Sequence, residues 1–131
     1  MMKTFCAGAV MAAFVVCGLR VASAADETAQ LPLAVRRMMI DYDKGLELLK
    51  QERYNDALAA FRRVLAASES VKEQEALTLV STAANNAGNI LLMQGKPEEA
   101  EASYRRALKA DPRHAMAQNN LGAALLKQGK I

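Results

Sequence analysis

The stretch NNAGNILLMQGK, residues 85 to 96, returns thirty-four positions later as NNLGAALLKQGK, residues 119 to 130, with eight of the twelve letters unchanged. In both copies the apolar letters fall at helical spacing and the run ends on Gln-Gly-Lys. Glycine just past a helical run is a C-terminal stop signal. One helix and its stop are therefore written twice, and a period of this length is the mark of an array of small stacked units.

Working outward, Leu33, Val35, Met38, Met39, Tyr42, Leu46 and Leu49 recur at spacings near three and four, which predicts an amphipathic helix from Leu33 to Gln51 after Pro32. A second is predicted from about Asn55 to Ala67, with Ala57, Ala60, Phe61, Val64 and Leu65 inward. Ser70-Val71-Lys72-Glu73 has the form of a capping box, in which serine and glutamate satisfy each other's free backbone donors. It predicts one long helix over about 71–94. Pro97, with Glu98 and Glu99 in the first turn, opens a fourth helix that places Ala100, Tyr104, Ala107 and Leu108 inward and stops at Asp111-Pro112. A last helix is predicted from His114 to Gln128. YNDALAAFRRVLAASE (54–69) also aligns with PEEAEASYRRALKADP (97–112), so that Ala57 meets Ala100, Phe61 meets Tyr104 and Leu65 meets Leu108. The fold class expected is all-α, a short solenoid of antiparallel helix hairpins.

Glycine in the first helix, alanine and an aromatic in the second, and proline after it, at a period of 34, resemble the tetratricopeptide repeat. In residues 81–114 the pattern is carried by Gly88, Ala100, Tyr104, Ala107 and Pro112. In residues 38–71 it is carried by Gly45, Ala57, Phe61 and Val64, with Glu69 where proline would fall. Asp41, Ala84 and Gln118 stand where the family favours tryptophan. The resemblance implies a right-handed solenoid of about two and a half repeats: 38–71, 81–114 with its first helix extended back to about 71, and a partial third over 115–131. A small residue where two helices cross lets the backbones approach, and a larger one on the partner fills the space beside the contact. Each hairpin is completed by the next. The third copy reaches Lys130-Ile131 without a second helix; the last helix is then either a cap or part of a longer array, with truncation the favoured expectation.

The chain opens with Lys3, an apolar run over about Phe5 to Leu19 and Ala22-Ser23-Ala24, the order of a secretory signal peptide with Ala25 as first mature residue. An uncleaved membrane anchor is the alternative. A lipid-modified Cys17 fits less well, since Val15-Val16 precede it. Residues 25–32 are expected as a flexible segment before the repeat domain (33–131). Both cysteines, Cys6 and Cys17, lie in the leader, so thiol chemistry is excluded from the mature part. Without Lys3 and Arg20 the seventeen basic residues become fifteen against fourteen acidic ones, which removes most of the case for a nucleic-acid partner or, once the leader is gone, a membrane.

The resemblance also implies which residues line an inner surface: Met39, Tyr42, Asp43, Leu46 and Lys50 in the first copy, Thr82, Asn85, Asn86, Asn89 and Met93 in the second, Met116, Asn119, Asn120, Ala123 and Lys127 in the third. The asparagines can offer both a donor and an acceptor to a peptide backbone, or they can simply order the helix contacts. Met116 and Asn120 stand where relatives that clamp a C-terminal carboxylate carry lysine and arginine, so that mode is not expected. Arg62-Arg63 and Arg105-Arg106 read as a solvated outer face. Glu98, Glu99 and Glu101 read as helix-start charges, and His114, the single histidine, as a turn residue. No catalytic, metal or cofactor residue is expected. The functional expectation is an exported, periplasmic, non-catalytic module that holds a peptide or helix of a partner protein; the alternative is an assembly subunit acting through its last helix, including by self-association.

Overall fold

The computed structural model describes residues 24–72 and 74–130, so the expected signal peptide, all but its last residue, and Glu73 of the expected capping box lie outside the described residues. The chain divides into two units, Met1–Leu31 and Pro32–Ile131. The described part of the first unit is α1, Ala24–Gln30. Of residues 25–32, expected as a flexible segment, 25–30 are helical, in keeping with the good helix formers Ala, Glu and Gln, and Pro32 is the N-cap of the helix that follows.

The second unit carries α2 (Leu33–Lys50), α3 (Tyr54–Ala67), a 3₁₀ turn (Ser68–Ser70), α4 (Gln74–Met93), α5 (Pro97–Ala110) and α6 (Ala115–Lys127). No strand occurs among the described residues. Each helix packs on the next, and the first helices also touch one another across the hairpins, α2 on α4 and α4 on α6. This all-helical solenoid is the expected fold class.

One boundary and one face differ from expectation. The long helix begins at Gln74, not 71: Val71 is extended, and the Ser70 hydroxyl donates to the Ala67 carbonyl, so the serine closes the preceding turn. On α2 the buried residues are Val35, Met38, Gly45 and Leu48, while Leu33 is 73% exposed. The apolar stripe read from the sequence straddles two faces, only one of which meets α3 and α4; Met39, Tyr42, Leu46 and Leu49 stay half-buried.

At the crossing of each hairpin an aromatic ring lies against a glycine. A Cβ built on Gly45 would stand 2.7 Å from Phe61 Cε1, and one on Gly88 would stand 2.6 Å from Tyr104 Cε1. Both rings are fully buried. Ala57, Ala60, Ala100 and Ala107 are buried beside them, which brings the helix axes close enough for the rings to fill the remaining space. Gly122, at the same register in α6, has nothing within 4 Å of that position.

The three first helices also end alike. Arg53 N–H donates to Leu48 O and Glu52 N–H to Leu49 O; Lys96 and Gly95 repeat this on Leu91 and Leu92, and Lys130 and Gly129 on Leu125 and Leu126. These are paired C-terminal bonds of the kind that need a left-handed residue just after the cap. Gly95 and Gly129 supply it with φ of 75° and 69°, and Glu52 is forced to 58°. Among the described residues no helix is long and apolar enough to cross a membrane.

Two measurements check this account. Glu52→Gly should raise stability by about 1 kcal/mol by relieving the left-handed strain on a side-chain-bearing residue, seen as a higher Tm in thermal melts. Gly88→Ala should lower it by about 1–3 kcal/mol through overpacking against Tyr104, whereas Gly122→Ala should be neutral or stabilising by up to about 1 kcal/mol, the ordinary helix preference of alanine.

Candidate functional site

The surface expected to bind runs along α2, α4 and α6, and the structure splits its residues into two groups. Asn85, Asn89 and Asn120 hold one another. Asn120 Nδ2 donates to Asn85 Oδ1 and to Asn89 Oδ1, both at 3.0 Å, and the Tyr104 hydroxyl donates to Asn89 Oδ1 at 2.7 Å. Asn85 is only 3% exposed and therefore is not an accessible contact residue, contrary to expectation. The cause is the direct apposition of α4 and α6, which turns two facing carboxamides toward each other instead of toward solvent. Burial of the Tyr104 ring pushes its hydroxyl up to about 12, so it remains a donor at any physiological pH.

The remaining residues stay accessible. Asn86 is half-buried with its carboxamide unclaimed, Asn119 is exposed, and Met93 is 64% exposed at the end of α4. Asp43, Lys50 and Lys127 are exposed on α2 and α6. Tyr42 and Leu46 are half-buried, and the Tyr42 ring rests on Phe61 with centroids 5.8 Å apart and planes tilted by 55°. The face thus presents amide groups beside thioether and aromatic surface. Lys50, Met93 and Lys127 occupy one structural position, the last residue of each first helix.

Other candidates resolve into packing roles. Arg62 pairs with Glu99, Arg63 with Asp41 and Arg105 with Glu101. Arg106 donates to the Leu65 carbonyl at 2.6 Å, an oxygen that also accepts from the Ser68 hydroxyl at the end of α3, and so ties the second helices together. A groove of about 340 Å³ between α3 and α5 is lined by Arg62, Glu69, Ser103 and Arg106, but both its arginines are engaged in these contacts. His114 is the N-cap of α6, its Nδ1 accepting from Ala117 N–H at 3.1 Å. This is the turn role expected for it.

One cluster was not anticipated. Glu101 was expected to act as a helix-start charge, but its two carboxylate oxygens gather donors from α5 and from the end of α6. Oε1 accepts from Arg105, and Oε2 accepts from Gln128 at 2.8 Å and from Lys130 at 3.1 Å. The Gln128 bond first, then those of Lys130 and Arg105, hold the carboxyl down at about 2, against a smaller opposing effect of burial. Gln128 Nε2 also reaches the Pro97 carbonyl, much as Gln94 reaches Asn55 one hairpin earlier. The signal for it was the repeated glutamine of Gln-Gly-Lys, a polar residue that the helical period alone leaves unexplained.

With this geometry in place, comparison with known families finds the tetratricopeptide repeat over residues 42–100 and 85–131. The chain belongs to the tetratricopeptide repeat family. No curated protein matches it. Repeats of this family generally mediate protein–protein interaction and act as non-catalytic scaffolds.

The Glu101 cluster has a signed pH dependence. A carboxyl lowered from its ordinary 4.5 to about 2 contributes stability that is complete above 4.5 and is lost as pH falls toward 2. Thermal melts between pH 6 and 2 should show that loss in the native chain, and Glu101→Gln should flatten that part of the curve.

Proposed function

We propose that this chain is an exported module whose α2–α4–α6 face holds an extended segment or helix of a partner protein without acting on it chemically. The observation that carries this reading is the pairing, on one face of a rigid array, of unclaimed carboxamides at Asn86 and Asn119 with the exposed Met93 thioether and the partly exposed Tyr42 and Leu46. A carboxamide matches the C=O and N–H of a peptide backbone together. The flexible thioether adapts to varied apolar side chains. Lys50 and Lys127 flank Met93 and favour a ligand with carboxylates on either side of an apolar residue. Asn85, Asn89 and Asn120 support the face by locking α6 onto α4.

Export rests on the leader pattern ending at Ala22-Ser23-Ala24. Expression of the full sequence in a bacterium should yield periplasmic protein whose first residue is Ala25; recovery of intact chain in the membrane fraction would favour the anchored alternative.

Peptides selected from a displayed random library provide the binding test. Asn86→Ala combined with Asn119→Ala should weaken the selected peptides by about 10-fold, in line with loss of one or two hydrogen bonds, while helicity by circular dichroism stays unchanged. Asn120→Ala should instead lower Tm. Undiminished affinity in the double variant would place binding on another surface.

A further inference from the structure

The first two copies of the repeat are not contiguous. Residues 72–80 stand between the copies 38–71 and 81–114, so the second helices recur forty-three residues apart (54 to 97), whereas the later first helices recur thirty-four apart (85 to 119). Residues inserted into a repeat array gather on one face, often a binding face. Here they build a pocket. Val71 leaves the 3₁₀ turn in an extended conformation, and α4 starts at Gln74, ahead of the second copy. From this stretch and the turn before it, Val71, Ala76, Leu77 and Val80 line a pocket of about 300 Å³, which Ala110 closes from the end of α5. That is the lower end of the size that holds small organic ligands. At the other junction α5 is joined to α6 by only four residues, 111–114.

The walls are aliphatic, with Val71, Ala76 and Val80 buried and Leu77 half-buried. Three polar side chains complete the lining: Ser68, Arg106 and Lys109. Two of them are occupied with each other. Ser68 Oγ donates to the Leu65 carbonyl at 2.6 Å and accepts from Arg106 at 3.4 Å, and Arg106 also donates to that carbonyl. Lys109, in the last turn of α5, is exposed and has no hydrogen-bond or ion-pair partner among the described residues. No acidic side chain is in the lining.

We infer that this pocket binds a short unbranched fatty acid, its alkyl chain against Val71, Leu77 and Val80 and its carboxylate at Lys109. Aliphatic walls reward each methylene removed from water. One unpaired ammonium at the edge matches one monovalent head group. A peptide is a poorer occupant. Its N–H groups would need acceptors, lysine and arginine have none, and the single side-chain acceptor in the lining, Ser68 Oγ, is already engaged. An alkyl carboxylate brings no donor that must be satisfied. None of these residues belongs to the set proposed to hold a partner on the α2–α4–α6 face, so the site stands apart from that reading.

The test is a titration of the full chain with butanoate, hexanoate and octanoate near neutral pH, followed by the methyl resonances of the protein. Saturable shifts are expected at Val71, Leu77 and Val80, with affinity rising about tenfold for each added pair of methylenes. Octanol should bind more weakly than octanoate. Lys109→Gln should weaken octanoate about threefold to fivefold, as loss of one exposed ion pair does, and leave octanol unchanged. Ala110→Leu, which fills the pocket from the end of α5, should weaken octanoate at least tenfold while helicity by circular dichroism is kept. Shifts that do not saturate or that fall on other methyls, an affinity flat along the series, or octanol bound as tightly as octanoate would overturn the inference. So would indifference of octanoate to Lys109→Gln. A leucine-terminated peptide that shifts these methyls where octanoate does not would make a protein end the occupant and overturn it as well.

Discussion

The contact between a ring and a bare glycine backbone, Phe61 on Gly45 and Tyr104 on Gly88, is the constraint on which the rest of this structure depends. It sets how closely the two helices of a hairpin approach. Only at that separation can Ala57, Ala60, Ala100 and Ala107 close the interface with no larger side chain. The repeat region has no cysteine with which to staple the hairpins, so the packing at these crossings holds them together by itself. Because each hairpin covers only one face of the next, the same contact also sets the pitch at which first helices line up and thereby creates the α2–α4–α6 surface.

Polar groups join the hairpins that apolar packing holds together. Arg106 on the Leu65 carbonyl, Asn120 on Asn85 and Asn89, and Glu101 beneath Gln128 and Lys130 each bridge residues far apart in sequence. Each also satisfies a donor or acceptor that burial would otherwise penalise. The repeat therefore carries two kinds of information: a small-and-aromatic code within a hairpin, and a carboxamide, guanidinium and carboxylate code between hairpins. The first recurs in register. The second recurs only in part: the glutamine at 94 and at 128 reaches the preceding hairpin in both copies, whereas Tyr42 lies against Phe61 at the position where the next copy has Asn85 bonded to Asn120. Such differences give each step of a short array its own surface chemistry.

The letters of the opening repeat can now be assigned separately. The glycine at 88 makes room for a ring. The glutamine at 94 or 128 reaches back to the start of the preceding second helix, and the glycine at 95 or 129 turns the chain. Glu52 does the turning in the first copy at the cost of a strained φ, which shows that the position is demanded by the motif and not by the residue placed there.

The sequence by itself determined the fold class, the hairpin pairing and the ends of most helices, because periodicity, proline, glycine and alanine–aromatic spacing are local signals that act within a few turns. The family resemblance also implied an inner surface containing Asn86, Met93, Asn119, Lys50 and Lys127, and these residues are half-buried or exposed in the structure. What only the tertiary structure decided is which asparagines remain free. Asn85 and Asn86 are adjacent and chemically identical, yet the approach of α6 buries and bonds the first and leaves the carboxamide of the second unclaimed. The role of Glu101 was decided the same way. Its partners at 128 and 130 lie one hairpin away, and a carboxylate's company across that distance is set by helix packing, not by spacing along the chain.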